Sequence, residues 1–161
     1  MKQVTTCYLL VGALLVAGCG GGGKQAQTTT AATVPANVLY QSANWQVLTK
    51  PGPRAEVLHL VNGKWVVDNS HAVKIAILGP KPGKVASNPP QVAITMHSKT
   101  PLVESALWVD GYQLFEKGGG SPENGTIYGA TNRLAKGMHV AVGYARTAFG
   151  GTAVAWTFRI A

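Results

Sequence analysis

The stretch that decides the fold is "RLAKGMHVAVGYARTAFGGTAVAWTFRI", Arg133 to Ile160. Two segments within it alternate with a period of two, the pattern of strands that turn one side toward a core. In the first, Met138, Val140, Val142 and Tyr144 alternate with His139, Ala141, Gly143 and Ala145. In the second, Val154, Trp156, Phe158 and Ile160 alternate with Ala155, Thr157 and Arg159. Together they read as a hairpin, with the Met138 set and the Trp156 set expected to be buried.

The same alternation recurs upstream. "VKIAIL" places Val73, Ile75 and Ile77 on one face, and "QVAITMH" places Val92, Ile94 and Met96 inward. "SALWVDGYQLF" brings Leu107 and Val109 inward and turns at Asp110-Gly111. Further out, "AEVLHLVNGKWVVD" contains Asn62-Gly63, a type I′ pair because both residues tolerate positive φ. A two-residue loop there pairs Leu60 with Trp65 and Leu58 with Val67, a face expected to be buried. With a strand at Trp45–Val47, residues 38–70 read as a small β-meander, which is marginal alone and needs a surface to pack on. Turn residues punctuate the whole region and no helical apolar period appears. The fold class is therefore all-β.

Residues 71–161 resemble the bacterial immunoglobulin-like domains. The resemblance rests on "NPPQVAI", "LWVDG" and the final hairpin, where Leu134, Gly137, His139 and Ala141 follow the stretch that opens the penultimate strand of such domains, one step out of register. It implies an immunoglobulin-like two-sheet sandwich without an inter-sheet disulfide. It implies nothing about activity, because function resides in sites rather than folds.

The amino-terminal region is of another kind. Lys2 precedes an apolar run from Cys7 to Ala17, too short for the ~20 residues of a membrane span and suited to a secretory signal. Leu15-Val16-Ala17-Gly18-Cys19 resembles the lipobox of bacterial lipoproteins. That resemblance implies a signal peptide over 1–18, diacylglyceryl transfer to the Cys19 sulfur, cleavage after Gly18 and N-acylation of the new terminus. The expected location is the extracytoplasmic face of the cell membrane, held by acyl chains that together anchor a protein far better than one does. Residues 19–37 are rich in Gly, Thr and Ala and read as a disordered tether. Gly18 to Lys24 nearly matches a phosphate-binding loop, but Gln25 stands where Ser or Thr belongs, and no cofactor is expected.

Lys and Arg number 14 against 6 Asp and Glu, a net charge of +8. On an anchored protein this surplus favours anionic lipid, an anionic envelope polymer or another envelope protein. The basic residues are scattered without a run, and no nucleic-acid partner is expected.

Candidate chemistry is sparse. No Gly-x-Ser-x-Gly elbow and no glycosidase acid pair occur, so the chain does not read as an enzyme. Trp108, Tyr112 and Tyr128 are the candidate ligand-binding aromatics, with the segment Glu116 to Gly129 read as a long loop that suits contacts. Trp108 is either solvent-facing or covered by the 38–70 meander. His59, His97 and His139 form the alternative, a periplasmic copper-binding set. Strand alternation turns Met96 and Met138 inward and the neighbouring histidines outward on opposite sheets, so no metal site is assigned.

Overall fold

Asn62 (φ 49°) and Gly63 (φ 75°) form the expected tight turn, and around it lies the first of three sheets. The computed structural model describes residues 37–161. The leader, Cys19 and all but the last residue of the 19–37 tether lie outside the described residues. The first sheet is an antiparallel meander of β1 (Val38–Gln41), β2 (Trp45–Lys50), β3 (Arg54–Val61) and β4 (Lys64–Val67). Its register pairs Leu58 with Val67 and Leu60 with Trp65.

The remaining strands form two sheets. β5 (Val73–Gly79), β7 (Gln91–Ser98), β10 (Glu116–Ser121) and β11 (Asn124–Ala130) run in the order β10-β11-β7-β5. β6 (Val85–Ala86), β8 (Leu102–Val109), β9 (Tyr112–Gln113), β12 (Gly137–Thr147) and β13 (Gly151–Ile160) run in the order β6-β13-β12-β8-β9. β6 lies parallel to β13, and the other pairings are antiparallel. This is the strand order of an immunoglobulin-like sandwich, reached without a disulfide between its sheets.

Between these two sheets lie Val73, Val92, Ile94 and Met96 from one side and Leu107, Val109, Trp156, Phe158 and Ile160 from the other. β12 departs from expectation. It turns its small residues, Ala141, Gly143 and Ala145, into this core, and His139 with them, while Met138 is 60% exposed. The reason is volume. Across the ladder His139 pairs with Phe158, Ala141 with Trp156 and Gly143 with Val154, so bulky β13 residues need small neighbours. A Cβ at Gly143 would stand 2.9 Å from Ile94 Cδ1. Interiors pack at crystal-like density, and a second bulky side chain has no room there.

The larger residues of β12, Val142 and Tyr144, point the other way together with Ala106 and Trp108 of β8. Left in water, a face of this size would forgo about 4–6 kcal/mol for the tryptophan alone. The meander covers it with Val47 and Val57, both buried. Here too the parity corrects the sequence reading. Ala55 and Val57 face the sandwich, whereas the Leu58–Leu60–Trp65–Val67 face looks outward, with Leu60 37% and Val67 38% exposed. At the rim of this second core, Arg146 Nε donates to Glu104 Oε2 at 2.7 Å, and the guanidinium lies 5.5 Å from the Trp45 ring centre.

Candidate functional site

Burial separates the three candidate aromatics. Trp108 is 1% exposed, its ring 6.4 Å from that of Tyr144 beneath the meander. It is a packing residue, and the aromatic platform expected with Tyr112 and Tyr128 is not assembled. Tyr128 lies on the outward side of β11, 40% exposed. Tyr112 belongs to the opposite sheet and is 78% exposed. The segment read as a long loop, 116–129, is instead the β10–β11 hairpin, paired from Glu116–Gly129 to Ser121–Asn124.

Tyr112 has a different companion. Asp110 (φ 50°) and Gly111 (φ 85°) turn β8 into β9, after which the chain crosses to the other sheet through Leu114 and Phe115. Leu114 N donates to Leu107 O at 2.9 Å. Glu116 Oε1 accepts the Leu107 N–H at 2.6 Å; burial raises the pKa of this carboxyl group, and the hydrogen bond opposes the rise. The crossing leaves Phe115 85% exposed. Tyr112 and Phe115 line a cavity of about 380 Å³ with Val109, Leu114 and Leu134 as apolar wall and Thr131 and Asn132 as polar wall. Leu134 is fixed from behind, where its N–H and carbonyl exchange two hydrogen bonds of 2.9 Å with the Asn88 side chain.

Asp110 fixes the other wall. Its Oδ1 accepts the Val140 N–H at 2.9 Å, and its Oδ2 lies 2.6 Å from His139 Nδ1. His139 Nε2 in turn lies 2.8 Å from the Ala135 carbonyl, and the ring packs 5.6 Å from Phe158. Both ring nitrogens therefore face acceptors, which suits the doubly protonated ring. The Asp110 carboxylate raises the His139 pKa above its usual 6.5, burial opposes this, and the Ala135 carbonyl adds to the rise. A general base needs a nitrogen within reach of the proton it takes. Neither nitrogen of His139 is free, so this pair clamps the turn.

The histidine set is also dispersed. His59 sits in the meander beside Trp45, ring centres 5.6 Å apart. His97 lies on the outward side of β7 with Nδ1 hydrogen-bonded to Asn124 Oδ1. His139 belongs to the third sheet, turned inward where an outward position was expected. No group of three or more His, Cys, Asp or Glu gathers among the described residues. The sequence reading missed Phe115, which lies just past a strand too short to show a period, and the Asp110–His139 contact, which joins distant segments.

No family model matches the chain, and no curated protein matches it. Among solved structures it is similar to the titin–obscurin-like 1 Ig complex, at TM-score 0.36 and 18% identity over 55% of this chain and 95% of that chain. It is similar to a tandem of titin Ig domains at TM-score 0.38 and 8% identity, over 76% and 75% of the two chains. It is similar to PcoC, a copper resistance protein from Escherichia coli, at TM-score 0.33 and 15% identity over 51% and 93%. The immunoglobulin-like assignment rests on the strand order itself, and none of these likenesses carries a residue role across.

Proposed function

We propose that this chain is a non-enzymatic binding or adapter module of the bacterial cell envelope. In this reading lipid on Cys19 moors it to the extracytoplasmic face of the membrane, and the Tyr112–Phe115 cleft receives a segment of another envelope protein. Support for the mooring comes from the lipobox-like Leu15–Cys19 stretch and the Gly/Thr-rich residues after it. Support for binding comes from one observation: two neighbouring rings, 78% and 85% exposed, flank a cavity whose walls are tied down. Aromatic side chains anchor protein interfaces, and a rigid scaffold lowers the ordering cost of binding. Support for a non-enzymatic role comes from His139, both of whose nitrogens are engaged.

The test places a photo-crosslinker at Phe115 in the full chain, expressed in a bacterium, with a second at Lys64 on the meander as control. A discrete crosslinked partner from Phe115 alone, lost on Tyr112→Ser, is expected. Identical patterns from both positions refute the cleft. Mass spectrometry of the mature amino terminus is expected to show an acylated Cys19, and an unmodified Cys19 refutes the mooring.

A further inference from the structure

At the end of the sandwich opposite the Tyr112–Phe115 cleft, the chain enters β5 through Ser70-His71-Ala72 and leaves β7 through Ser98-Lys99-Thr100. A cavity of about 300 Å³ lies there, with His71, Lys74, His97, Lys99 and Phe149 on its walls. Its base is firmly built. Ser98 and Thr147 are buried, and their hydroxyls donate to the carbonyls of Thr100 and Gly150. Phe149 is 79% exposed, an apolar wall with nothing over it among the described residues.

The charge in this cavity is one-sided. Lys74 stands directly opposite His97 across β5 and β7, and Lys99 follows β7, so two ammonium groups border the cavity. No carboxylate lines the cavity. Elsewhere in the fold Glu56 pairs with Lys50, Glu104 with Arg146 and Asp110 with His139. Asp68 accepts the Ser70 and Gly151 N–H groups, Glu116 accepts that of Leu107, and Glu123 does not line the cavity. The cavity wall thus supplies two ammonium groups and no carboxylate. The cationic groups are the ammonium groups of Lys74 and Lys99, compact point charges of the kind that bind phosphate oxygens. His97 is held in place through Nδ1, which donates to Asn124 Oδ1.

We propose that this cavity binds an organic phosphate monoester, with Lys74 and Lys99 as counter-charges, His71 and His97 on the wall beside them and Phe149 against the organic group. The site is independent of the Tyr112–Phe115 cleft and does not rest on the function proposed for it.

The test follows the imidazole resonances of the full chain by NMR at constant ionic strength while phenyl phosphate or inorganic phosphate is added. Saturable shifts confined to His71 and His97 are expected, with His59 and His139 as internal controls. Phenyl phosphate is expected to bind more tightly than inorganic phosphate, and Phe149→Ala to remove that advantage alone. Lys74→Gln and Lys99→Gln are each expected to weaken binding roughly tenfold or more, with unchanged His59 and His139 signals reporting an intact fold. Shifts that never saturate, that move all four histidines alike, or that survive both lysine substitutions overturn the proposal. So does equal affinity for the two phosphates. Vesicles containing phosphatidic acid, compared with neutral vesicles, separate the sources: displacement of phenyl phosphate assigns a lipid headgroup, no displacement assigns a soluble ester, and either supports the site.

Discussion

Asp110 and His139, 29 residues apart in the chain, meet through Oδ2 and Nδ1 at 2.6 Å and bind the β8–β9 turn to the first residues of β12. The same carboxylate holds the Val140 N–H, so one side chain fixes two points of a neighbouring strand. Since Tyr112 follows that turn by two residues, the clamp also sets where its ring stands.

The clamp makes stability depend on pH. His139 has a raised pKa in the folded state, so folding favours its protonated form. Its contribution is complete below the unfolded value, near 6.5, and is lost as pH rises through the higher folded value. Urea midpoints measured from pH 5.5 to 9 are expected to fall across that window. His139→Gln and Asp110→Asn are expected to flatten this part of the profile, and an unchanged slope in either would contradict the clamp.

Trp108 and the exposed rings separate cleanly by substitution. Trp108→Ala removes a ring buried between two sheets and is expected to cost about 3–5 kcal/mol in urea unfolding. Tyr112→Ala and Phe115→Ala remove rings in water and are expected to stay within about 0.5 kcal/mol.

The side of the meander that faces inward is open to the same measurement. Val57 is 3% exposed against the sandwich, and Val57→Ala is expected to cost roughly 1.5–3 kcal/mol. Leu60 faces outward, and Leu60→Ala is expected to cost less than about 1 kcal/mol. Reversed magnitudes would mean that the sheet is packed by its other face.

Gly143 lies directly against Ile94 of the facing sheet. A methyl group there meets Ile94 at Cδ1 (2.9 Å) and Cγ2 (3.1 Å), so Gly143→Ala is expected to destabilise by about 1–3 kcal/mol. Combining it with Ile94→Val, which vacates the Cδ1 position, is expected to recover part of that loss; purely additive losses would show that the two positions are not in contact.

The strands β2 to β5, β7, β8, β12 and β13 were legible in the sequence, and so were the inward sets of β5, β7, β8 and β13, most plainly where one side alone is apolar. β10 and β11 read as a loop because Glu116–Ser121 has no apolar alternation. β12 and β3 were misread for a shared reason. Both have apolar residues on each side, and bulk was taken as the mark of burial. In the sandwich core the opposite holds for β12, since Trp156 and Phe158 already occupy the space and Ala141 and Gly143 are what fit. Trp108 carried the missing information, because a tryptophan between Leu107 and Val109 makes a strand apolar on both sides and calls for a third layer. The cleft and the clamp were less legible. They depend on which segments meet at the ends of the sheets, and local alternation does not encode that.

The meander has a consequence for assembly. By occupying the outward side of β13, β12 and β8, it removes a broad flat flank from any neighbour that would stack on this body. Among the described residues no layer covers the flank of β5, β7, β11 and β10, where Ala76, Thr95, Thr126 and Gly119 align in one low row across four strands. In place of the covered flank the meander presents its own outward side, with Leu60 and Val67 in water.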